Sequence, residues 1–271
     1  MPDSLIISLG AALALVGLLI AVYWVVKMAT TVQIRNLAER LLPELKRVLL
    51  QSGRFEKVDE ADYPALDHGF YRERTDFLHG LGFLTLGDIT LSHLEELRPP
   101  VHTFMRILTG NSDTVLATIY HVQVNQDDAP GVDPAELDQK ATDFETELED
   151  GRFVLTTSFS PKYSFVEHEK MLTEHHPQGT SVRALLQRHM ARLQNLTREN
   201  PRLSAKRISR LHEVEDAQER LMDLKREAWD RLDEKAFQGI LLTMFHGRHR
   251  TLARRLAKQL HILKSLGRLR G

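Results

Sequence analysis

The sequence predicts an α+β fold: an N-terminal transmembrane helix, then a helix with an antiparallel sheet of about four or five strands, then a C-terminal helical region. Three observations carry this. Leu5 to Val26 contains no charged residue and no proline. From Gly82 the apolar pattern alternates in twos, the period of a strand. Beyond Pro177 it recurs in threes and fours, the period of a helix. Four segments follow: residues 1–28 as anchor, 29–59 as juxtamembrane helix and linker, 60–178 as α+β domain, and 179–271 as basic helical region.

The roughly 22 residues from Leu5 to Val26 span about 33 Å as a helix, enough for a bilayer core of about 30 Å. The stretch ends in Tyr23, Trp24 and Lys27. Aromatic rings with a polar tip favour the membrane boundary. No small-residue cleavage site follows and no Lys or Arg precedes, so the reading is a retained anchor and not a signal peptide. Lys27, Arg35, Arg40, Lys46 and Arg47 come after it. Positive flanks mark the cytoplasmic side, which puts the N-terminus outside an inner membrane and the domain inside. Gly10 with Ala14 could admit a second helix, so a homo-oligomer is within the reading.

The chain of 271 residues has no cysteine, which excludes disulfides, thiolate metal sites and cysteine nucleophiles. Its net charge of −1 conceals an asymmetry. Residues 180–271 carry 21 Lys and Arg against 10 Asp and Glu, and no acid follows Glu234. Such separation points to an anionic partner or to the acidic half of the same molecule.

Thr31 to Ser52 reads as a helix through Leu37, Leu41, Leu45, Val48 and Leu49, kinked at Pro43. Leu66 to His79 reads as a helix carrying Phe70, Phe77 and Leu78. Two strand-like runs, "VHTFMRILTG" and "TVLATIYHVQV", flank Asn111-Ser112-Asp113, a hairpin signal. A second hairpin turns at Glu149-Asp150-Gly151-Arg152. Its first strand sets Phe144, Thr146 and Leu148 against Asp143, Glu145 and Glu147, so one side is expected to be wet. A helix followed by such a meander could curl around an internal pocket, an analogy of fold that carries no function. Thr180-Ser181 could cap a helix to about Leu196. Ser204 to Leu232 reads as one amphipathic helix, and Thr251 to Leu266 as the last, with a stripe of leucines.

Few motifs carry chemistry. "HEKMLTEHH" would put His168 and His175 on one face of a helix, with His176 beside them, as weak metal candidates. It lacks the H-E-x-x-H spacing and a third ligand. The glycines of "HGLGFLTLGD" do not make a dinucleotide fingerprint, and there is no P-loop or G-x-S-x-G elbow. No catalytic residue and no cofactor is expected.

The basic end is the strongest functional signal. Arg248, Arg250, Arg254, Arg255, Lys258 and Lys264 accompany the leucine stripe. They suit contact with an anionic lipid surface. Alternatively, the leucines pack internally and the arginines meet the acidic residues around 127–150. Nucleic acid is disfavoured, because no aromatic residues interleave with the basic ones. The reading is therefore a single-pass bacterial membrane protein whose cytoplasmic domain is a non-enzymatic binding or scaffold module, with the bilayer, an anionic lipid surface or a protein as partner. The alternative is a small-ligand binder or enzyme with a pocket between the first helix and the sheet, lined by groups such as His79, His102, Tyr120 or His121.

Overall fold

The computed structural model describes residues 31–43, 45, 46, 50, 55–91, 101–125, 127, 137–159, 168–244 and 250–268. The chain divides into two compact units, 49–231 and 1–48 with 232–271.

The larger unit is built on one sheet. Its strands are β1 (Phe55–Lys57), β2 (Leu84–Leu91), β3 (Val101–His102), β4 (Met105–Gly110), β5 (Val115–Val124), β6 (Asp138–Glu147), β7 (Phe153–Thr157) and β8 (Met171–His175). They lie in the order β1-β2-β4-β5-β6-β7-β8, with β3 paired to β5. All described pairings are antiparallel except β7 with β8, which is parallel. The sheet thus has eight strands, not four or five, and it is mixed, not antiparallel. The reason is length and exposure. β1 has three residues and β3 two, too few for a period to emerge. β8 is half-buried at every position, so it carries no alternation.

Among the described residues no helix is long and apolar enough to cross a membrane. The span expected at Leu5 to Val26 lies outside the described residues, so the predicted transmembrane helix is no part of their architecture. The acidic loop expected around 126–136 lies largely outside them too.

Three helices cover the sheet. α2 (His68–His79) starts at Asp67, whose side chain accepts from the Phe70 N–H at 3.0 Å. α3 (Val182–Glu199) starts at Ser181, as the sequence suggested, and ends before Asn200-Pro201. A side-chain acceptor at these positions satisfies an N–H that the helix leaves without a partner. Phe70, Tyr71 and Leu78 of α2 and Val182 and Leu185 of α3 pack with Phe104, Leu108, Ala117, Ile119 and Phe144 on one face of the sheet. Tyr71 stacks on Phe104 with ring centroids 4.2 Å apart.

α4 (Leu211–Arg231) covers the other face. Val214, Ala217, Leu221 and Leu224 meet Ile89, Ile107, Leu116 and Phe153. The sequence suggested one helix from Ser204 to Leu232, but the first seven residues are not helical. Their backbone is used otherwise. Ala205 bridges Leu148, the Lys206 N–H donates to the Glu147 carbonyl at 2.8 Å, and the Ile208 N–H donates to the Asp113 carbonyl at 2.7 Å. This segment carries the chain around the end of the sheet from α3 to α4. The turn between β4 and β5 uses Asn111, Ser112 and Asp113 with φ of 50°, 59° and 67°. Asn and Asp tolerate this left-handed region better than most residues.

The smaller unit holds α1 (31–43), α5 (Glu234–Met244) and α6 (Arg250–Arg268). In α1 the buried residues are Ile34 and Ala38, while Leu37 of the predicted stripe is 40% exposed. In α6 the inner residues Ala253, Leu256, Ala257 and Leu260 are fully buried. α5 and α6 pack against one another, and the Lys264 ammonium donates to the Leu232 carbonyl at 2.7 Å.

Gly110 tests the packing of the larger unit. A Cβ added there would sit 2.5 Å from the ring of buried Phe83. Gly110→Ala is expected to cost about 1–3 kcal/mol through overpacking, read from the denaturant midpoint. A loss well below this would mean that the Phe83 ring moves aside freely.

Candidate functional site

The histidine candidates fail on geometry. "MLTEH" is a strand, so His168 and His175 are not one helical face apart. His168 precedes β8, and its Nδ1 accepts from the Lys170 N–H at 3.1 Å. Its Nε2 lies 3.4 Å from a Glu227 carboxylate oxygen. The His175 ring meets the Phe159 carbonyl at 3.2 Å, and His176 lies 3.3 Å from Glu174. Each histidine thus has a different neighbour. No group of three metal-binding side chains occurs among the described residues.

The four groups that could have lined a pocket also diverge. His79 is exposed and bonds Thr85, and His102 is exposed on β3. Tyr120 and His121 are adjacent on β5, so they point to opposite faces. His121 is held from both sides. Its Nδ1 accepts from the Asp67 N–H at 3.0 Å, so the ring proton sits on Nε2 and donates to Asp138 at 2.7 Å. Its backbone N–H donates to the Tyr71 hydroxyl. Both nitrogens are engaged, and neither is open to a substrate. The space between α2 and the sheet is filled by Phe70, Tyr71, Leu78, Phe83 and Phe104.

His189 of α3, which the sequence places on the apolar side of that helix without assigning it a role, is fully buried. Thr146 Oγ1 donates to the Thr114 carbonyl, so it receives the His189 Nε2 proton at 3.0 Å. The Nδ1 then accepts from Thr156 Oγ1 at 3.1 Å, and that hydroxyl receives a bond from Arg192. Burial, with the nearby Arg192 charge, drives the His189 pKa down to about 3 and keeps the ring neutral. Arg192 also donates to the carbonyls of Leu155 and Leu172, tying α3 to β7 and β8.

The acidic side of β6 overturns the expectation of a wet face. Asp143, Glu145 and Glu147 line the face that α4 covers. Glu147 is 1% exposed. Arg220 of α4 grips both of its oxygens at 2.8 and 2.7 Å, and Lys206 donates at 2.6 Å. Burial alone would raise its pKa, but these two cations hold it below the usual value. Half-buried Glu145 accepts from Gln218 at 3.1 and 3.2 Å. Burial lifts its pKa to about 7, against the pull of Gln218 and Lys225. Asp143 accepts from Tyr120 at 2.8 Å and from Thr157, and burial raises it to about 6. Perturbed carboxylates often mark active sites, but here each is bonded to protein groups of neighbouring elements.

An open groove of about 510 Å³ lies between α3 and the segment Leu203–Ala205. Leu148, Met190 and Leu193 contribute apolar lining, and Arg198 is the single ionisable residue on its wall. It offers no acid–base pair and no nucleophile beside a base.

The basic helix divides in two. Lys264 is buried with its ammonium 5.7 Å from the Phe237 ring centre. Arg250, Arg254, Arg255 and Lys258 are exposed, and none forms an ion pair with a described residue. Arg248 lies outside the described residues. Within the larger unit, Glu147 of β6 is paired with Lys206 and Arg220 and Glu145 with Gln218.

Buried His189 and half-buried Glu145 should set opposite slopes of stability with pH. Between 6.5 and about 3 the unfolded chain holds a His189 proton that the folded chain lacks, so stability is lost as pH falls through that window. Between 4.5 and about 7 the folded chain holds a Glu145 proton that the unfolded chain has lost, so stability is lost as pH rises. His189→Gln is expected to flatten the acid-side loss. Glu145→Gln is expected to steepen the gain with rising pH. Denaturant midpoints across the range read both, and unchanged slopes would contradict the assignment.

Comparison of the chain with protein-family models, with curated proteins and with solved structures finds no match.

Proposed function

We propose that this chain is a non-enzymatic binding module that meets its partner through its exterior. One observation carries the reading: the space between α2 and the sheet, where a ligand pocket was expected, is packed with aromatic and aliphatic side chains. A catalytic or ligand site needs a concavity with converging polar groups. The polar groups of this chain converge on one another. Glu147 is spent on Arg220 and Lys206, His121 on Asp67 and Asp138, and His189 on two threonines. These networks hold helices to the sheet, which makes the larger unit a stiff scaffold.

The groove beside α3 is the specific feature that favours the alternative, a small-ligand binder. A thermal-shift panel of nucleotides, sugar phosphates, amino acids and fatty acids separates the two. The module is expected to shift by less than about 1 °C. A true ligand at a hundredfold its dissociation constant would add about 2.7 kcal/mol, roughly 5–10 °C for a unit of this size. Such a shift, abolished by Leu193→Asp in the groove, would replace the binding-module reading with the ligand reading.

A further inference from the structure

The sequence left two readings of α6: contact of the basic helix with anionic lipid, or internal packing of its leucine stripe. The structure buries the middle of that stripe, Leu256 and Leu260, with Ala253 and Ala257 beside them, while its last member Leu266 is 45% exposed. Leu266 closes an outer row instead. Arg254, Lys258, Ile262 and Leu266 follow at steps of four along one exposed side of the helix. Successive members rise about 6 Å, so the row is about 18 Å long. Arg250 and Arg255 flank its cationic end.

Two properties of this row are independent of one another. The first is uncompensated charge. Arg254 and Lys258 have no ion-pair partner among the described residues, and no acid occurs in the chain after Glu234. The second is apolar exposure. Ile262 is 39% and Leu266 45% exposed, and they continue the same row. Cations followed by outward aliphatic side chains suit a surface that is charged at its face and apolar just beneath. Nucleic acid would need aromatic or hydrogen-bonding groups in the place of Ile262 and Leu266. An acidic protein would match the charges but gives the two aliphatic residues no defined place.

Resting on the reading that the chain binds through its exterior, we propose that the outer row Arg254, Lys258, Ile262 and Leu266 of α6 docks on an anionic lipid surface. The cations face the headgroups, and the two aliphatic side chains enter the boundary below them. The contact is peripheral: the helix keeps its inner side packed in its own unit.

The test is co-flotation of the full chain with vesicles of phosphatidylcholine alone and with vesicles that also contain phosphatidylglycerol. The readout is the preference between them, so that binding common to both vesicles cancels. The intact chain is expected to prefer anionic vesicles, and added salt should erase the preference. Replacing Arg254 and Lys258 by Gln should lower it roughly 30-fold, about fivefold for each cation. Ile262→Ser with Leu266→Ser should leave a preference that salt removes more readily than in the intact chain. All four positions are exposed, so unchanged circular dichroism and thermal midpoint are expected of both variants. Equal binding to both vesicles, or a preference that survives the double Gln variant, would overturn the lipid assignment. A variant that loses vesicle preference yet shows no small-molecule ligand keeps the exterior reading. Loss of the lipid result alone leaves that reading to the thermal-shift panel.

Discussion

The architecture of the larger unit depends on a carboxylate that has been taken almost wholly out of water. Glu147 closes β6 under α4, where an unpaired charge would be costly. Arg220 answers it from α4 and Lys206 from the crossing segment. Three pieces of chain, distant in sequence, are therefore held to one point. The same contact explains why the residues from Ser204 to Arg210 abandon the helix that their apolar spacing invites. Their backbone groups are needed at the end of the sheet, where Lys206 pairs with Glu147 through both its main chain and its side chain.

The opposite face is organised by hydrogen bonds of uncharged rings and hydroxyls, with the Asp67 main-chain N–H among the donors. Tyr71, His121 and Asp67 fasten the start of α2 to β5, and His189 fastens α3 to β6 and β7. Each of these rings has its proton position fixed by the partners around it. Buried polar groups that are fully satisfied stiffen a core and leave little free for chemistry. That face of the sheet is thereby covered by its own helices. On the proposed reading function falls to the exterior, where the outer row of α6 combines exposed cations with exposed aliphatic side chains.

α6 also shows how an amphipathic pattern divides its work. The strong stripe, Leu256 and Leu260 with their alanine neighbours, builds the helical unit. The weaker row of two aliphatic residues is exposed, because the buried side is already filled. Lys264 illustrates the same division. It belongs to the basic series in sequence, yet its ammonium is satisfied by Leu232 and by the Phe237 ring.

The sequence by itself determined the local elements with strong signals. The helix at His68–His79, the Ser181 cap, the two hairpins and the amphipathic α6 follow from caps, turn residues and period, which are properties of neighbouring residues. Tertiary structure decided the rest. Alternation along β6 marked one acidic and one apolar side, but which side meets water depends on a helix more than seventy residues away. β1, β3 and β8 exist because longer strands offer them an edge, not because of any period of their own. Spacing places His189 on the apolar side of α3, but its partners Thr146 and Thr156 are supplied only when distant strands come beside it. A carboxylate at a strand end with a basic residue in a later amphipathic helix was the signal available for Glu147 and Arg220. It is too common in sequence to select, because burial and pairing are fixed only when distant segments meet.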